Sequence, residues 1–305
     1  MSASSNIVSS NIVLGANQYG KAEVRLVKIT RDTDRHEIED LNVTSQLRGD
    51  LEAIHTVGDN AHCVPTDTQK NTVYAFARDG VGAPEDFLLR LGKHFVDDFD
   101  WITGGRWAAQ KYTWDRIVVD GNEHDHSFVR GGTETRTAVL TIDEGVPTMI
   151  SGLEDLAVLK STASEFHGFP VDKYTTLAET RDRILATSVT ARWCYNTTDL
   201  AFDDVFADVR RILLEVFATK YSLGLQHSLY AMGEAVLQAH PEIDEIRFSM
   251  PNLHHFLVDL TPFDLDNPGE VFYAADRPYG LIEAAVRRDD APDSAAAWAG
   301  VAGFC

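Results

Sequence analysis

The chain has 305 residues, of which 44% are hydrophobic and 24% charged, as in a globular protein of one large domain or two smaller ones. Its 47 acidic and 27 basic side chains give a formal net charge of −20, which disfavours binding to the phosphates of nucleic acids. The sequence has neither a long apolar run for a membrane helix nor a basic, apolar leader for a signal peptide, and its three scattered cysteines fit a reducing cytoplasm.

The first half of the chain predicts four strands and two helices. Alternation of apolar and polar side chains predicts the strands, at residues 22–30, 36–48, 104–118 and 127–142. Pro84 opens an apolar stripe of helical period and predicts a helix over 84–98. Thr66 and Gln69 match a capping box, T-x-x-Q, which favours a helix over 67–79 although part of this segment also has strand propensity.

The second half repeats this order of elements. The same patterns predict strands and helices in turn, with strands near 148–160, 186–196, 243–250 and 254–261 and helices at 201–219 and 225–239. A second capping box, Thr176 with Glu179, predicts a further short helix over 176–185. The result is an α+β fold of two tandem repeats with antiparallel sheets.

We place the domain boundaries from this repeat. The first repeat is expected at 13–145 and the second at 146–288. Before them, residues 1–12 contain the unit SSNIV twice and predict a disordered leader. After them, residues 289–305 are assigned to a C-terminal tail, and the acidic, Ala-rich stretch from Arg287 to Trp298 is expected to be loosely packed.

Four short segments carry the candidate functional residues. A helix that starts at Thr66 leaves free backbone N–H groups at a positive dipole end, which suits an anionic ligand. The four segments read Tyr19-Gly20-Lys21, Val64-Pro65-Thr66-Asp67-Thr68-Gln69-Lys70-Asn71-Thr72, Ser164-Glu165-Phe166-His167-Gly168-Phe169 and Pro251-Asn252-Leu253-His254-His255-Phe256. Together they resemble the urate oxidase (uricase) family, over roughly residues 12 to 288.

This resemblance implies an activity and an architecture. The implied reaction is the oxidation of urate by dioxygen and water to 5-hydroxyisourate and hydrogen peroxide, with no metal and no other cofactor. The implied fold is the tunnelling fold, with helices on one face of each sheet and closure of the sheets into a barrel on oligomerisation. The family assembles as a homotetramer with each site between two subunits, which implies the same partners here.

The resemblance also implies roles for residues in the proton transfer. Lys21, Thr66 and His254 match the groups of a proton relay, in which the hydroxyl of Thr66 both donates and accepts. Thr66 and Asn252 match the pair that holds dioxygen or a water above the substrate ring. Asp67 matches the residue whose backbone N–H meets that ring.

A second set of residues is implied to hold the substrate. Phe166 matches the aromatic side chain that stacks on the purine plane. Arg183 matches the arginine that grips urate with its planar fork, and it lies in the helix expected over 176–185. Gln226 matches the amide at the opposite edge of urate, and Leu225 contributes its backbone N–H.

The chain departs from the family pattern at two positions close to these residues. Leu253 stands where the family often has lysine, so one positive charge is lost beside the site. Pro65 stands where a small residue is expected before Thr66. Neither change removes a named catalytic group, but both can alter affinity or rate.

Two alternatives compete with this interpretation. One is a different tunnelling-fold enzyme that acts on a pterin with zinc held by His124, His126 and His254, since His-x-His on a strand puts both rings on one face. The other is a purine-binding or scaffold protein in which Leu253 and Pro65 have abolished catalysis.

Overall fold

Eight antiparallel strands form one sheet in strict sequence order. The computed structural model describes residues 12–292 and 294–301. Each strand pairs with the next one along the chain, and the first and last strands, β1 and β8, stand at the two open edges. The strands are β1 Tyr19–Thr30, β2 Glu37–Gly49, β3 Ile102–Val119, β4 Asn122–Asp143, β5 Val146–Lys160, β6 Leu185–Tyr195, β7 Ile243–Leu257 and β8 Phe272–Arg287.

Two pairs of long helices cover one face of this sheet. Each pair lies between the second and third strands of its half, as the tandem repeat predicts. The helices are α1 Glu52–Thr56, α2 Thr66–Asp79, α3 Pro84–Asp98, α4 Phe202–Thr219, α5 Leu225–Ala239 and α6 Ala295–Trp298, with one 3₁₀ turn at Thr261–Phe263. Among the described residues, none of the helices combines the length and apolar character needed to cross a membrane.

The core lies between the helices and the sheet. In the first half, Trp107 of β3 stacks on Phe95 of α3 with ring centroids 6.4 Å apart, and both side chains are fully buried. In the second half, Trp193 of β6 packs on Phe206 of α4 at 6.0 Å. The strands alternate between this core and the opposite face, so the expected α+β architecture with helices on one face is confirmed.

A glycine in each half lets a helix approach the sheet closely. A Cβ added at Gly92 of α3 would lie 2.8 Å from side-chain carbons of Leu140 and Ile142. At Gly233 of α5 the corresponding distance to Val286 would be 2.6 Å. Larger side chains at these positions would push α3 and α5 away from the strands that they cover.

The predicted capping box at the start of α2 is wrong, although the helix is present. The structure places Pro65 at the N-cap and Thr66 inside the helix, with no side-chain cap. The Gln69 side chain is buried against β2 instead, where its oxygen accepts a hydrogen bond of 3.0 Å from the Ser45 hydroxyl. The Gln69 side chain is therefore part of the buried core and does not make the capping contact that the motif predicts.

The helix expected over 176–185 is also wrong. This segment is irregular and is held by a bridge between Phe166 and Thr180. The carboxylate of Glu179 accepts a hydrogen bond of 2.7 Å from the backbone N–H of Gly168, across the loop, instead of serving Thr176.

The end of the second repeat differs from the prediction of two strands at 243–250 and 254–261. One strand, β7, continues through Pro251, because a shift of register between Asn252 and His254 absorbs the interruption. The last strand is β8, Phe272–Arg287, which the sequence pattern did not predict. Its proline and glycine, Pro278 and Gly280, lie opposite the register shift.

Part of the C-terminal segment packs on the sheet. Trp298 of α6 is buried, and its indole N–H donates to Glu245 at 3.0 Å. The expectation of loose packing is therefore wrong for Ala297 and Trp298, whereas Asp289, Asp290, Ala295 and Ala296 are exposed. The leader at 1–11 and residues 293 and 302–305 lie outside the described residues. The repeat boundaries stay a prediction, since the eight strands form one sheet.

Candidate active site

Six of the residues assigned to substrate or proton transfer line one cavity in the second half of the chain. The cavity has a volume of about 210 Å³ and is lined by Phe166, Leu177, Arg183, Leu225, Gln226, Asn252, His254 and Ile282. A neighbouring cavity of about 140 Å³ shares Phe166, Arg183 and His254. A larger cavity, about 650 Å³, lies between the β3–β4 hairpin and α4 and contains no predicted site residue.

Backbone hydrogen bonds fix the loop that carries two of these residues. The N–H of Phe166 donates to the carbonyl of Thr180 at 2.9 Å, and the N–H of Arg183 donates to the carbonyl of Ser164 at 2.9 Å. The N–H of Glu165 donates to the carbonyl of Ser222 at 2.9 Å, which ties this loop to the segment before α5. The loop is therefore held in place without a helix of its own.

Arg183 lies over the ring of Phe166 and has one buried N–H donor that is not used in the described structure. Its guanidinium carbon is 5.2 Å from the centre of the Phe166 ring. Its Nε is buried and has no hydrogen-bond partner within the described residues. Burial also lowers the pKa of Arg183, although an arginine stays charged at any physiological pH. A buried cationic donor of this kind suits a planar ligand that carries negative charge and acceptor atoms.

Helix α5 begins at the opposite side of the cavity. Gly224 is its N-cap and Leu225 its first residue, so the backbone N–H of Leu225 has no acceptor within the helix. Leu225 is buried, whereas the Gln226 side chain is exposed. The helix start thus presents one backbone donor and one amide to the cavity.

Strand β7 contributes the remaining two residues at its register shift. Asn252 pairs with Gly280 of β8 and with Thr187 of β6, whereas His254 pairs with Ala275. The pKa of His254 lies below its ordinary value because the ring is partly buried and because Arg183 and His255 are close by. At neutral pH the imidazole is therefore neutral and can both donate and accept a proton.

The two departures from the family pattern have different local settings. Leu253 lies between Asn252 and His254, and its carbonyl accepts a hydrogen bond of 3.0 Å from Nδ1 of His255. Pro65 precedes α2, and its carbonyl accepts the first hydrogen bond of the helix, from the N–H of Gln69 at 3.1 Å. The Pro65 side chain offers no capping acceptor, so the N–H groups of the first turn stay available.

Lys21, Thr66 and Asp67 form a second group, in the first half of the chain. Lys21 lies on β1 opposite Ser45, and Thr66 and Asp67 begin α2. The pKa of the Asp67 carboxyl is lowered mainly by its hydrogen bond and charge interaction with Lys70, and to a smaller extent by Lys21. None of these three residues lines the cavity described above, so this chain carries the predicted site in two separate parts.

Two of the three histidines of the zinc alternative, His124 and His126, lie on β4 outside this cavity, whereas His254 of β7 lines it. The rings of His124 and His126 are 4.5 Å apart, and His126 is 5.9 Å from the ring of His36. Across the described ranges, 12–292 and 294–301, no group of three or more His, Cys, Asp or Glu side chains is arranged to hold a metal ion. The zinc set of His124, His126 and His254 is therefore not assembled in this part of the chain.

The structure adds residues that the sequence did not indicate. Leu177 and Ile282 complete the apolar wall of the cavity, but nothing in the local sequence marks them. Ser45 and Gln69 connect Lys21 to the start of α2 through the buried hydrogen bond between them. Gln69 was visible in the capping motif, but its partner could be found only from the strand register.

Comparisons with known proteins agree on one family. The model of the family described as Uricase matches residues 17–141 and 149–283. A uricase of Arthrobacter globiformis is 66% identical over 296 residues, covering 97% of each chain. A uricase of Dictyostelium discoideum is 35% identical over 276 residues, covering 89% of this chain and 96% of that protein.

Solved structures give the same picture for the fold. The crystal structure of the Arthrobacter globiformis uricase superposes with a TM-score of 0.91 at 65% identity, covering 95% of this chain and 100% of that one. The urate oxidase of Bacillus sp. TB-90 superposes with a TM-score of 0.77 at 23% identity, covering 90% of this chain and 100% of that one. The second likeness supports the fold alone.

Proposed function

The chain belongs to the uricase family and oxidises urate, and we propose that it does so without a metal or cofactor, through sites that pair the two groups of residues described above. One molecule each of urate, dioxygen and water gives 5-hydroxyisourate and hydrogen peroxide. The observation that carries the proposal is the convergence of Phe166, Arg183, Gln226 and His254 on one cavity.

The cavity supplies the contacts that a flat anion needs. Phe166 stacks on the purine plane, a contact that contributes about 0.5–1.5 kcal/mol beyond the burial of area. Arg183 donates from its fork to one edge of urate, so that its buried Nε gains an acceptor. Gln226 donates and accepts at the opposite edge, and the N–H of Leu225 adds a third contact.

The first-half residues bring the proton transfer. Thr66 accepts a proton from the substrate side and donates towards Lys21, while the neutral imidazole of His254 extends the relay. Loss of a proton raises the electron density of urate, which then gives an electron to dioxygen held by Thr66 and Asn252. The radical pair recombines at a ring carbon, and water later displaces peroxide. The protein contributes position and electrostatic support.

Each complete site lies between two subunits of a homotetramer in this proposal. Lys21, Thr66 and Asp67 do not line the second-half cavity of their own chain, which supports a site that another copy completes with these residues. The open edges β1 and β8 give a route for closing the sheets into a barrel, which would also protect both edges. We place the protein in the cytoplasm.

Mixed assemblies test the shared site. Lys21→Met and Arg183→Gln each remove one group from opposite halves of the site, so each variant alone should be nearly inactive at low urate concentration. Co-expression should restore activity, because some sites then combine an intact Lys21 from the Arg183→Gln subunit with an intact Arg183 from the Lys21→Met subunit. Co-expression of Lys21→Met with Thr66→Ala is the matched control and should restore none, since both changes lie in the same half. Equal behaviour of the two mixtures would contradict a site between subunits.

Oxygen uptake tests the absence of a cofactor. Protein that has been treated with a chelator and dialysed should consume urate and dioxygen in equal amounts and release peroxide. Activity that returns only with added zinc would favour the alternative of a zinc enzyme. Binding of a urate analogue without any oxygen uptake would favour a binding protein in which Leu253 and Pro65 have abolished catalysis.

A further inference from the structure

The sheet face that carries no long helix holds a cluster of arginines. Arg48 of β2, Arg106 of β3 and Arg192 of β6 all lie on this face, because neighbouring residues of each strand alternate with the core positions Leu47, Trp107 and Trp193. Arg106 and Arg192 line a cavity of about 170 Å³ that shares no residue with the urate cavity. A cluster of cations is unexpected in a chain with a net charge of −20.

Arg192 is fixed in place across the sheet. Its guanidinium forms an ion pair with Glu154 of β5. Its stem crosses Gly152, where an added Cβ would lie 2.5 Å from Cγ of Arg192 and 2.9 Å from the hydroxyl oxygen of Thr137. The absence of a side chain at Gly152 therefore lets Arg192 lie against the sheet beside Thr137.

Arg106 forms no ion pair with a carboxylate among residues 12–292 and 294–301. Its Nε is buried and makes no hydrogen bond within the described residues, and the ion pairs found there do not include it. Burial lowers the pKa of Arg106, and the nearby charges of Arg192 and Arg48 lower it further. Arg48 is itself a cation, and its Nε donates to the neutral side chain of Gln18 at 3.0 Å. The carboxylates of Glu23 and Glu154 also line the cavity, but neither forms an ion pair with Arg106 in the described part of the chain. A partly buried cation without such a partner costs stability unless an anion joins it.

We propose that Arg106 binds a small oxyanion of the phosphate or sulfate type in this cavity, on the sheet face opposite the helices. The guanidinium fork matches two oxygens of such an anion, and its Nε is a donor that has no acceptor among the described residues. Thr137 lines the same cavity and adds a hydroxyl donor. The site stabilises the folded protein and does not depend on the assignment of the urate cavity.

Thermal unfolding and calorimetry of the assembled protein test the site with inorganic phosphate as the probe. Phosphate should bind saturably, and should raise the unfolding temperature by roughly 5 °C at a hundredfold excess over its Kd, relative to sodium chloride of equal ionic strength. Arg106→Gln should abolish both effects without changing KM for urate. Arg78→Gln, which removes an exposed arginine at the end of α2, is the matched control and should keep both effects.

The unliganded variants give an independent result. Without phosphate, Arg106→Gln should unfold at the same temperature as the parent chain or higher, because it removes an uncompensated charge. Arg106→Lys keeps the charge but loses the fork, so phosphate should bind it at least several-fold more weakly than the parent chain.

Three outcomes would overturn the proposal. The first is a phosphate effect no larger than that of sodium chloride. The second is an undiminished phosphate effect in Arg106→Gln. The third is marked destabilisation of phosphate-free Arg106→Gln, since this would mean that a carboxylate of the assembly already compensates the charge.

Discussion

The hydroxyl of Ser45 donates a hydrogen bond of 3.0 Å to the side-chain oxygen of Gln69, and both residues are buried. Ser45 is the cross-strand partner of Lys21, and Gln69 lies in the first turn of α2 together with Thr66. A second link joins β1 to the segment before α2, because the Tyr19 hydroxyl donates to the carbonyl of Val64 at 3.1 Å. These contacts set the position of Lys21 relative to Thr66.

Removal of this link should slow turnover through geometry. Gln69→Leu leaves the buried Ser45 hydroxyl without its acceptor, which should destabilise the fold by about 1–3 kcal/mol, less what is gained by removing the unpaired Nε2 of Gln69. Because α2 loses its tie to β2, kcat should fall more than KM rises. Urea unfolding and steady-state kinetics measure the two effects.

The double variant Ser45→Ala with Gln69→Leu is the control for that experiment. It removes both partners together, so stability should recover towards that of the parent chain. Turnover should stay low, because the tie between β2 and α2 is still missing. Recovery of kcat along with stability would show that Gln69 acts on the fold alone.

Thr66→Ala and Lys21→Met should each cut turnover by about 10²- to 10⁴-fold, the usual contribution of a positioned proton-transfer group. Neither side chain belongs to the buried core, so the unfolding temperature should change little. The loss of urate absorbance under saturating substrate measures kcat. Thr68→Ala, an exposed position in the same helical turn, should be close to normal. Near-normal rates in both test variants would exclude the relay.

Arg183→Gln should act mainly on substrate binding. Hydrogen bonds to a charged group contribute about 1.5–3 kcal/mol, so kcat/KM should fall roughly 10- to 100-fold. Most of this change should appear in KM, because the contact forms before the chemical steps. Arg181→Gln, two residues away with an exposed side chain, is the matched control. An unchanged KM in Arg183→Gln would argue against the clamp.

The lowered pKa of His254 predicts a loss of stability in mild acid. The unfolded chain takes up a proton near the ordinary pKa of about 6.5, whereas the folded chain resists it because burial, Arg183 and His255 disfavour the cation. The free energy of unfolding should therefore fall as the pH drops from that value towards the lowered pKa of His254. It should not change through this group at higher pH.

Two variants check this pH dependence. His254→Gln should flatten the acid limb of the stability curve and also reduce kcat, while His62→Gln, which removes a histidine outside the cavity, should leave kcat in place. Unfolding by urea between about pH 5 and 8 covers the transition. A stability curve of His254→Gln that matches the parent chain would contradict the assignment.

Several elements could be predicted because their information is local. The helices over 84–98 and 225–239 are confirmed to the residue, since an apolar stripe of helical period encodes each one within a few turns. The tandem order of strands and helices follows from the same kind of pattern. Local motifs failed where the side chain bonds to a distant partner instead. Gln69 accepts from the Ser45 hydroxyl and does not cap α2, and Glu179 accepts from the N–H of Gly168.

The sequence by itself determined the family, the order of the elements and the kinds of chemical group available for urate, because these depend on residue identity and short-range periodicity. Only the tertiary structure decided which of those groups meet. Backbone hydrogen bonds of an irregular loop place Arg183 and Phe166 at one cavity, and the register of β7 with β6 and β8 places Asn252 there as well. Lys21 and Thr66 do not line this cavity. Contacts between residues far apart in the chain depend on strand register and packing, which no local pattern encodes.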